Sequence, residues 1–147
     1  MLQRKCSAFT LLEIMLVVVI IGLLAAIVAP ALLGRGREAK IQTVKAQIAN
    51  FETALDLYKM DNDNYPSPEQ GLAALRQQPS GDPPANNWKG PYLKKAIPKD
   101  PWGGEYVYVC PGTVNADSYD LISPGPDGKL GTEDDITNYE PGQSTGK

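Results

Sequence analysis

A single carboxylate, Glu13, lies inside the N-terminal end of an apolar segment that is long enough to cross a membrane. From Ile14 to Leu33 no side chain carries a charge or a hydrogen-bonding group. An ionisable group within such a segment costs roughly 2.5–3.5 kcal/mol on insertion scales, so we expect Glu13 to serve a function. The simplest compensation is a positive charge placed next to this carboxylate.

Removal of the basic leader, residues 1–8, would create such a charge. A cut between Ala8 and Phe9 would leave Phe9 with a free amine close to Glu13 in the sequence. Two alternatives remain open. The leader and apolar segment could form an uncleaved signal anchor with Glu13 at the headgroup boundary, or an ordinary secretory signal. Against the secretory signal, the apolar core exceeds the usual length and no A-x-A cleavage site follows it.

A second group of carboxylates lies near the C-terminus, in residues 123–136. This stretch contains four acidic side chains, three glycines and two prolines, so it can fold its oxygens inward toward one hard cation. Calcium suits such a loop, because it takes about six to eight oxygen ligands from carboxylates, carbonyls and water. The spacing of the acids does not fit an EF-hand. A solvated acidic turn is the alternative, because Asp-Gly and Asp-Asp are also ordinary turn sequences.

The element that carries Glu13 is predicted to be one long helix with two different halves. Residues 9–33 are apolar all round, whereas residues 37–60 repeat apolar side chains at steps of three and four. The repeating side chains are Ile41, Val44, Ile48, Phe51, Leu55 and Tyr58. We expect this stripe to pack on a sheet, since it is too short to argue a coiled coil. Pro30 and Gly34–Arg37 are expected weak points of the helix.

The rest of the chain predicts a proline-rich loop region followed by a small sheet. Residues 69–76 are expected to form two turns of helix, and six prolines between positions 79 and 101 exclude long regular elements there. Residues 106–110 and 119–122 alternate as two strands would. The predicted fold class is therefore α+β, with a long N-terminal helix packed on a small antiparallel β-sheet.

Composition excludes several classes of function. The chain has 17 acidic and 14 basic side chains and no histidine, which argues against nucleic-acid binding and against a His-assisted nucleophile. We therefore expect no enzyme. The two cysteines are Cys6, in the leader, and Cys110, so a cleaved chain keeps no disulfide pair. The basic leader predicts a cytoplasmic N-terminus and export of residues 34–147 as a small head.

The start of the chain resembles the class III signal of type IV pilins and pseudopilins, in which a basic leader precedes the residues seen here as Phe9–Glu13. The resemblance implies that a prepilin peptidase cleaves between Ala8 and Phe9 and methylates the new amine of Phe9. The chain departs from this family at Ala8, where the family has glycine. Because alanine is also small, we expect cleavage.

Motifs along the rest of the chain resemble the major pseudopilin of the type II secretion system. In order, they are Tyr58–Asn62, Tyr65–Ser67, Glu69–Leu72, Tyr92–Leu93, Asp100–Gly103, Gly125–Gly128 and Asp134–Ile136. The resemblance implies a pilin-like fold and one calcium ion bound in residues 123–136. The implied ligands are the side chains of Asp127, Asp134 and Asp135 and the backbone carbonyls of Pro124 and Thr132. Glu133 is then expected to point to solvent.

The same resemblance implies a structural function without catalysis. Subunits wait in the inner membrane with their heads in the periplasm. An inner-membrane assembly platform and its ATPase then extract them into a helical homopolymer, which minor pseudopilins start. This fibre drives folded exoproteins across the outer membrane. Glu13 would set the register by neutralising the Phe9 amine of the subunit ahead, because an unpaired charge inside an apolar bundle is costly.

Two other functions remain open at this point. One is a type IV pilus subunit for surface adhesion or motility, against which the missing disulfide pair and the calcium-type loop argue. The other is a monomeric, membrane-anchored calcium-binding domain, for which replacement of Glu13 should leave function intact.

Overall fold

The computed structural model describes residues 10–139, apart from the side chains of residues 29–34. Its elements in chain order are helix α1 (Leu11–Asn62), a 3₁₀ helix (Leu72–Leu75) and strands β1 (Val107–Val109), β2 (Asp120–Ser123) and β3 (Ile136–Thr137). The chain divides into two compact units, Met1–Ala39 and Lys40–Lys147. The leader 1–8, the cleavage position at Ala8 and Phe9, and residues 140–147 lie outside the described residues.

Helix α1 runs without interruption for 52 residues, through Pro30 and through Gly34–Arg37. It ends at Asn62, slightly later than the predicted position 60. At this end Asn62 Nδ2 donates to the Tyr58 carbonyl at 3.0 Å, and the Asp63 N–H donates to the Lys59 carbonyl at 2.7 Å. Asp63 then turns into the left-handed region with φ 64°, which terminates the helix.

In the first unit, α1 carries the candidate membrane segment. Among the described residues, Leu11–Val28 is the one helical stretch with the length and composition to cross a membrane. Its large apolar side chains are exposed, Leu11 by 79% and Ile27 by 75%. So large an exposed apolar surface requires a bilayer or apolar partners to cover it.

In the second unit, the apolar stripe of α1 faces a hydrophobic core, as its spacing predicts. Val44 and Leu55 are fully buried, and the Phe51 ring meets the Tyr106 ring edge to face with 5.1 Å between centroids. The remaining large members of the core are Ile48, Tyr58, Leu72, Leu75, Tyr119, Leu121 and Ile136. The stripe therefore packs against residues of the sheet and loops of its own unit.

The three strands form one antiparallel sheet in the order β1-β2-β3. The two predicted strands are present, with Val107 opposite Ile122, and the α+β fold class is confirmed. Strand β3 was not predicted, because two residues are too short to show an alternating pattern. Asn138 extends its pairing: its Oδ1 accepts from the Leu121 N–H at 2.8 Å, and its Nδ2 donates to the Tyr119 carbonyl at 3.2 Å.

The predicted helix over residues 69–76 is wrong in extent. Only Leu72–Leu75 form a helical turn, and it is of the 3₁₀ type. Gly71, with φ 54° and ψ −162°, has a conformation outside the helical region and prevents an earlier start. The preceding turn is held by a reciprocal pair, in which the Ser67 N–H donates to Gln70 Oε1 at 3.0 Å and the Gln70 N–H donates to Ser67 Oγ at 3.3 Å.

Candidate functional site

Glu13 lies in the first turn of α1, and Thr10 caps this turn. The Glu13 N–H donates to Thr10 Oγ1 at 3.2 Å and to the Thr10 carbonyl at 3.1 Å. Thr10-x-x-Glu13 is thus the sequence of a capping box, a local signal that our sequence interpretation missed. The residue Glu13 is exposed, and the helix dipole favours a negative charge at this end. The carboxylate therefore has a structural reason to lie here and remains accessible to a partner.

The acidic loop joins two neighbouring strands. Residues 124–135 connect β2 to β3, and Ser123 lies directly opposite Ile136 in the antiparallel register. The two ends of the loop are therefore held together by the sheet. This closure brings the early carboxylate of the loop, Asp127, toward the late pair formed by Asp134 and Asp135.

Two of the predicted ligand residues meet through Thr132. Thr132 Oγ1 donates to Asp134 Oδ1 at 2.7 Å and lies 3.4 Å from Asp127 Oδ1. The Asp127 N–H donates to Asp134 Oδ2 at 3.1 Å. Asp127 is exposed and Asp134 is half-buried. The structure thus places Asp127, Thr132 and Asp134 side by side.

The third predicted carboxylate, Asp135, has one oxygen whose environment is unusual. Its Oδ2 accepts a hydrogen bond from the Gly131 N–H at 2.7 Å. Its Oδ1 is buried and has no hydrogen-bond donor within the described part of the chain. Leaving a buried carboxylate oxygen unsatisfied is costly, and a bound cation is one way to satisfy it. Glu133, which directly precedes this pair of aspartates, is exposed.

Gly125 brings the two sides of the loop into close approach. Its φ of +65° is in the left-handed region, and a Cβ at this position would overlap the backbone carbonyl oxygen of Asp134. Only glycine satisfies both conditions without displacement of the backbone. The loop is therefore built around a backbone contact between residue 125 and one of the predicted ligand residues.

The donors of the loop suit calcium in their chemistry. All are oxygens from carboxylates, a hydroxyl or backbone carbonyls, which are the ligands that calcium takes. Over residues 10–139, no group of three or more acidic, His or Cys side chains is close enough to hold a metal ion by itself. Carbonyl groups and water would therefore have to complete the coordination. The unsatisfied Asp135 Oδ1 and the all-oxygen donors together fit a calcium ion.

Two buried carboxylates elsewhere were missed from the sequence. Asp120 is 2% exposed and accepts from the N–H groups of Thr113, Val114 and Asn115 at 2.6, 2.8 and 3.0 Å. Asp100, 4% exposed, accepts from three donors, one of them the hydroxyl of Ser123. The Asp-Pro-x-Gly turn was a signal for Asp100. No short-range pattern marks Asp120, because its donors come five to seven residues earlier.

The other reactive groups among the described residues include one thiol and two buried phenols. The Cys110 thiol is half-buried and lies 3.7 Å from the Ser118 carbonyl. Burial raises the pKa of Tyr106 to about 12, with a smaller contribution from Asp100, and burial also raises the pKa of Tyr119. Phenols with raised pKa values stay protonated and serve as hydrogen-bond donors.

Comparisons with known proteins find similarity along most of the chain. The family model described as type II secretion system (T2SS), protein G, matches residues 31–139, and the prokaryotic N-terminal methylation motif matches residues 3–29. Type II secretion system core protein G of Escherichia coli (strain K12) is 50% identical over 92% of each chain. The protein of the same name from Pseudomonas aeruginosa is 49% identical, over 95% of this chain and 99% of its own.

One solved structure extends this similarity to the fold. It is the crystal structure of the major pseudopilin from the type 2 secretion system of enterohaemorrhagic Escherichia coli. The match has a TM-score of 0.64 and 42% sequence identity, and it covers 73% of this chain and 92% of the other.

Proposed function

Because the chain belongs to the protein G family of the type II secretion system, the family of its major pseudopilin, we propose that it polymerises into the periplasmic pseudopilus. The observation that carries this proposal is the match of the protein G model to residues 31–139 next to a methylation motif at residues 3–29. The family is one of structural subunits, and none of the relatives described above favours a type IV pilus. As a subunit of a fibre, the chain would contribute surfaces and no catalysis.

Processing and localisation form the first part of the proposal. A prepilin peptidase would cut between Ala8 and Phe9 and methylate the Phe9 amine, which is supported by the methylation motif. The apolar helix Leu11–Val28 would anchor the subunit in the inner membrane, with the N-terminus in the cytoplasm and the second unit in the periplasm. The inner-membrane platform and its ATPase would then move subunits into the fibre, which minor pseudopilins would start.

Assembly is the second part, and Glu13 is its central residue. Its exposure at the first turn of α1 leaves the carboxylate available to the Phe9 amine of a neighbouring copy. Apolar segments from neighbouring copies would lower the local dielectric, where an unpaired carboxylate or ammonium is strongly unfavourable. The charge pair would thus select one register, and repeated head-to-tail contacts that do not close produce a filament.

Calcium binding is the third part. We propose that the loop holds one calcium ion through the carboxylates of Asp127, Asp134 and Asp135. The carbonyls of Pro124 and Thr132 would supply further oxygens. The proposal is supported by the unsatisfied Asp135 Oδ1 and by the backbone closure at Gly125. Binding to the folded state alone would stabilise the fold, in the place of a disulfide that a cleaved chain with Cys110 as its one cysteine could not form.

Deletion of the gene tests the proposed function directly. We expect folded exoproteins to accumulate in the periplasm while surface fibres, adhesion and twitching motility stay unchanged. Comparison of the culture medium with the periplasmic fraction measures the outcome. Normal secretion combined with loss of surface fibres would assign the chain to a type IV pilus instead.

Substitution of Glu13 tests the assembly proposal. We expect Glu13→Ala to insert into the membrane normally but to lose the ladder of crosslinked oligomers that the unsubstituted chain forms. Thr10→Ala is the matched control, because it removes the helix cap, worth about 1 kcal/mol, but keeps the Glu13 charge. A ladder of equal intensity for Glu13→Ala and the unsubstituted chain would refute the charge-pairing role. Equal loss in both variants would assign the effect to the cap.

Substitution of Asp134 tests the calcium proposal. We expect Asp134→Ala to lower the melting temperature of the second unit when calcium is present and to change it little in excess chelator. The reason is that stabilisation by a bound ion requires the ion. Melting curves that coincide in calcium for the variant and the unsubstituted chain would count against the site.

A further inference from the structure

Asp100 is a buried carboxylate that closes a turn before β1. Its Oδ1 accepts from the Trp102 N–H at 3.0 Å and from the Gly104 N–H at 2.7 Å. The Asp100 N–H in turn donates to the Gly104 carbonyl at 2.8 Å. Because Oδ1 and the backbone close this turn by themselves, Oδ2 is available for a contact outside it.

Oδ2 makes that contact with Ser123, which is the last residue of β2 and the first residue of the acidic stretch 123–136. Ser123 is fully buried, and its hydroxyl donates to Asp100 Oδ2 at 2.7 Å. The Ser123 Oγ atom in turn accepts from the Gly125 N–H at 3.4 Å. Hydrogen bonds to carboxylates are stronger than neutral ones, and burial excludes the water that would compete for them. This bond therefore holds the start of the acidic stretch against a turn 23 residues earlier in the sequence.

Gly104 adds a packing contact to this hydrogen bond. A Cβ at Gly104 would lie 2.8 Å from Asp100 Oδ2 and 2.8 Å from Pro124 Cγ, closer than real side chains approach. The turn and Pro124, which is itself buried, are thus in direct contact. The carbonyl of Pro124 is one of the proposed calcium ligands, and it follows Ser123 immediately in the chain.

We infer that Asp100 is a positioning residue for calcium binding, acting through Ser123 to hold the Pro124 carbonyl in place. The inference rests on the calcium site proposed above. Groups that orient metal ligands change metal affinity about 10–100-fold when they are removed. The carboxylates of Asp127 and Asp134 have their own contacts within the loop, whereas the carbonyl of Pro124 depends on the segment that Asp100 holds.

The test is isothermal titration of the full-length chain, purified in detergent, with calcium chloride. Ser123→Ala removes the hydroxyl donor, and Asp100→Asn retains the shape of the side chain but removes the carboxylate acceptor. We expect each variant to bind calcium about 10–100-fold more weakly than the unsubstituted chain. The double variant should be no weaker than the more affected single variant, because both substitutions act on one hydrogen bond.

Asp120→Asn is the matched control for a purely structural effect. Asp120 lies at the other end of β2, is equally buried and likewise accepts three hydrogen bonds, but none of its partners belongs to the acidic loop. We expect Asp120→Asn to lower the melting temperature in excess chelator and to leave the calcium affinity unchanged. A loss of affinity as large as that of Asp100→Asn would reduce the role of Asp100 to general stability and overturn the inference.

The outcomes separate this inference from the proposal beneath it. If Asp134→Ala abolishes binding while Ser123→Ala and Asp100→Asn bind as tightly as the unsubstituted chain, the calcium site stands and the positioning role is wrong. If the unsubstituted chain itself binds no calcium, both are wrong. Should Asp100→Asn fail to fold, the smaller change in Ser123→Ala decides the question by itself.

Discussion

A matched pair of glycine substitutions tests how the acidic loop is built. Gly125 and Gly128 lie three positions apart and have nearly the same backbone conformation, with φ of +65° and +69°. A Cβ at Gly125 would overlap the carbonyl oxygen of Asp134, whereas a Cβ at Gly128 has no other atom within 4 Å. Substitution of either residue by alanine therefore imposes the same conformational strain, and only Gly125→Ala adds a steric conflict.

The expected magnitudes follow from these two contributions. A non-glycine residue in the left-handed region costs about 1–2 kcal/mol, so Gly128→Ala should lower the free energy of unfolding by about that amount. At Gly125 the overlap is with backbone, which cannot rotate away as a side chain can, and such overpacking adds about 1–3 kcal/mol. Gly125→Ala should therefore be less stable than Gly128→Ala by about 1–3 kcal/mol.

Urea unfolding followed by tryptophan fluorescence measures this difference. Trp88 and Trp102 are the only tryptophans of the chain and both belong to the second unit, so the signal reports on the unit that contains the loop. In excess chelator, unfolding free energies of the two variants that agree within about 0.5 kcal/mol, the range of ordinary surface changes, would refute the close approach of residues 125 and 134.

Calcium extends the same experiment to the proposed site. At a calcium concentration 100 times the dissociation constant, binding stabilises the folded state by about 2.7 kcal/mol. Gly128→Ala should keep this increment, because its Cβ points into open space. Gly125→Ala should lose most of it, because the methyl group displaces Asp134. An increment of equal size in both variants would contradict the ligand role of Asp134.

Two further predictions concern the helix face of the second unit. Burial is the main cause that raises the pKa of Glu52 above 4.5, and the nearby charge of Asp56 adds to it. A hydrogen bond with Asn138 lowers the same pKa by a smaller amount. Ionisation of Glu52 thus opposes folding above its raised pKa and has no such effect below about 4.5. We expect Glu52→Gln to have a higher free energy of unfolding than the unsubstituted chain at pH 7, and we expect this difference to vanish at pH 4. Urea unfolding at both pH values measures it. A difference that is independent of pH would argue against the burial of this charge. Leu55 is fully buried and Leu57 is 46% exposed, so Leu55→Ala should cost about 2–5 kcal/mol of unfolding free energy and Leu57→Ala less than half of that. Similar losses on chemical denaturation would mean that the wrong face of α1 had been assigned to the core.

Elements with a local period were predictable from the sequence. The spacing of Val44, Ile48, Phe51 and Leu55 specifies which face of α1 meets the core, because a helix repeats every 3.6 residues. The alternation around Val107–Val109 likewise revealed β1. The length of the helical turn at Leu72–Leu75 was overestimated, since apolar spacing does not show that Gly71 leaves the helical region.

The candidate sites were predictable in position but not in geometry. The apolar segment after Glu13 and the density of acids in residues 123–136 are visible directly in the sequence. The cap that Thr10 provides could also have been predicted from the sequence, because the capping-box pattern spans only four residues. The unsatisfied Oδ1 of Asp135 could not have been predicted, because burial of one atom depends on everything packed around it.

The membrane-length segment, the core-facing stripe of α1 and the composition of the acidic loop can all be read from the amino-acid order, since each depends on neighbours within a few positions. The folded chain was needed to show that Ser123 bonds to Asp100, that Gly125 touches Asp134 and that Ile136 pairs with Ser123. These contacts join segments whose separation is set by how the intervening chain folds. Contacts between distant segments leave no periodic pattern in the sequence, so they can be identified only when helix, sheet and turn are packed together.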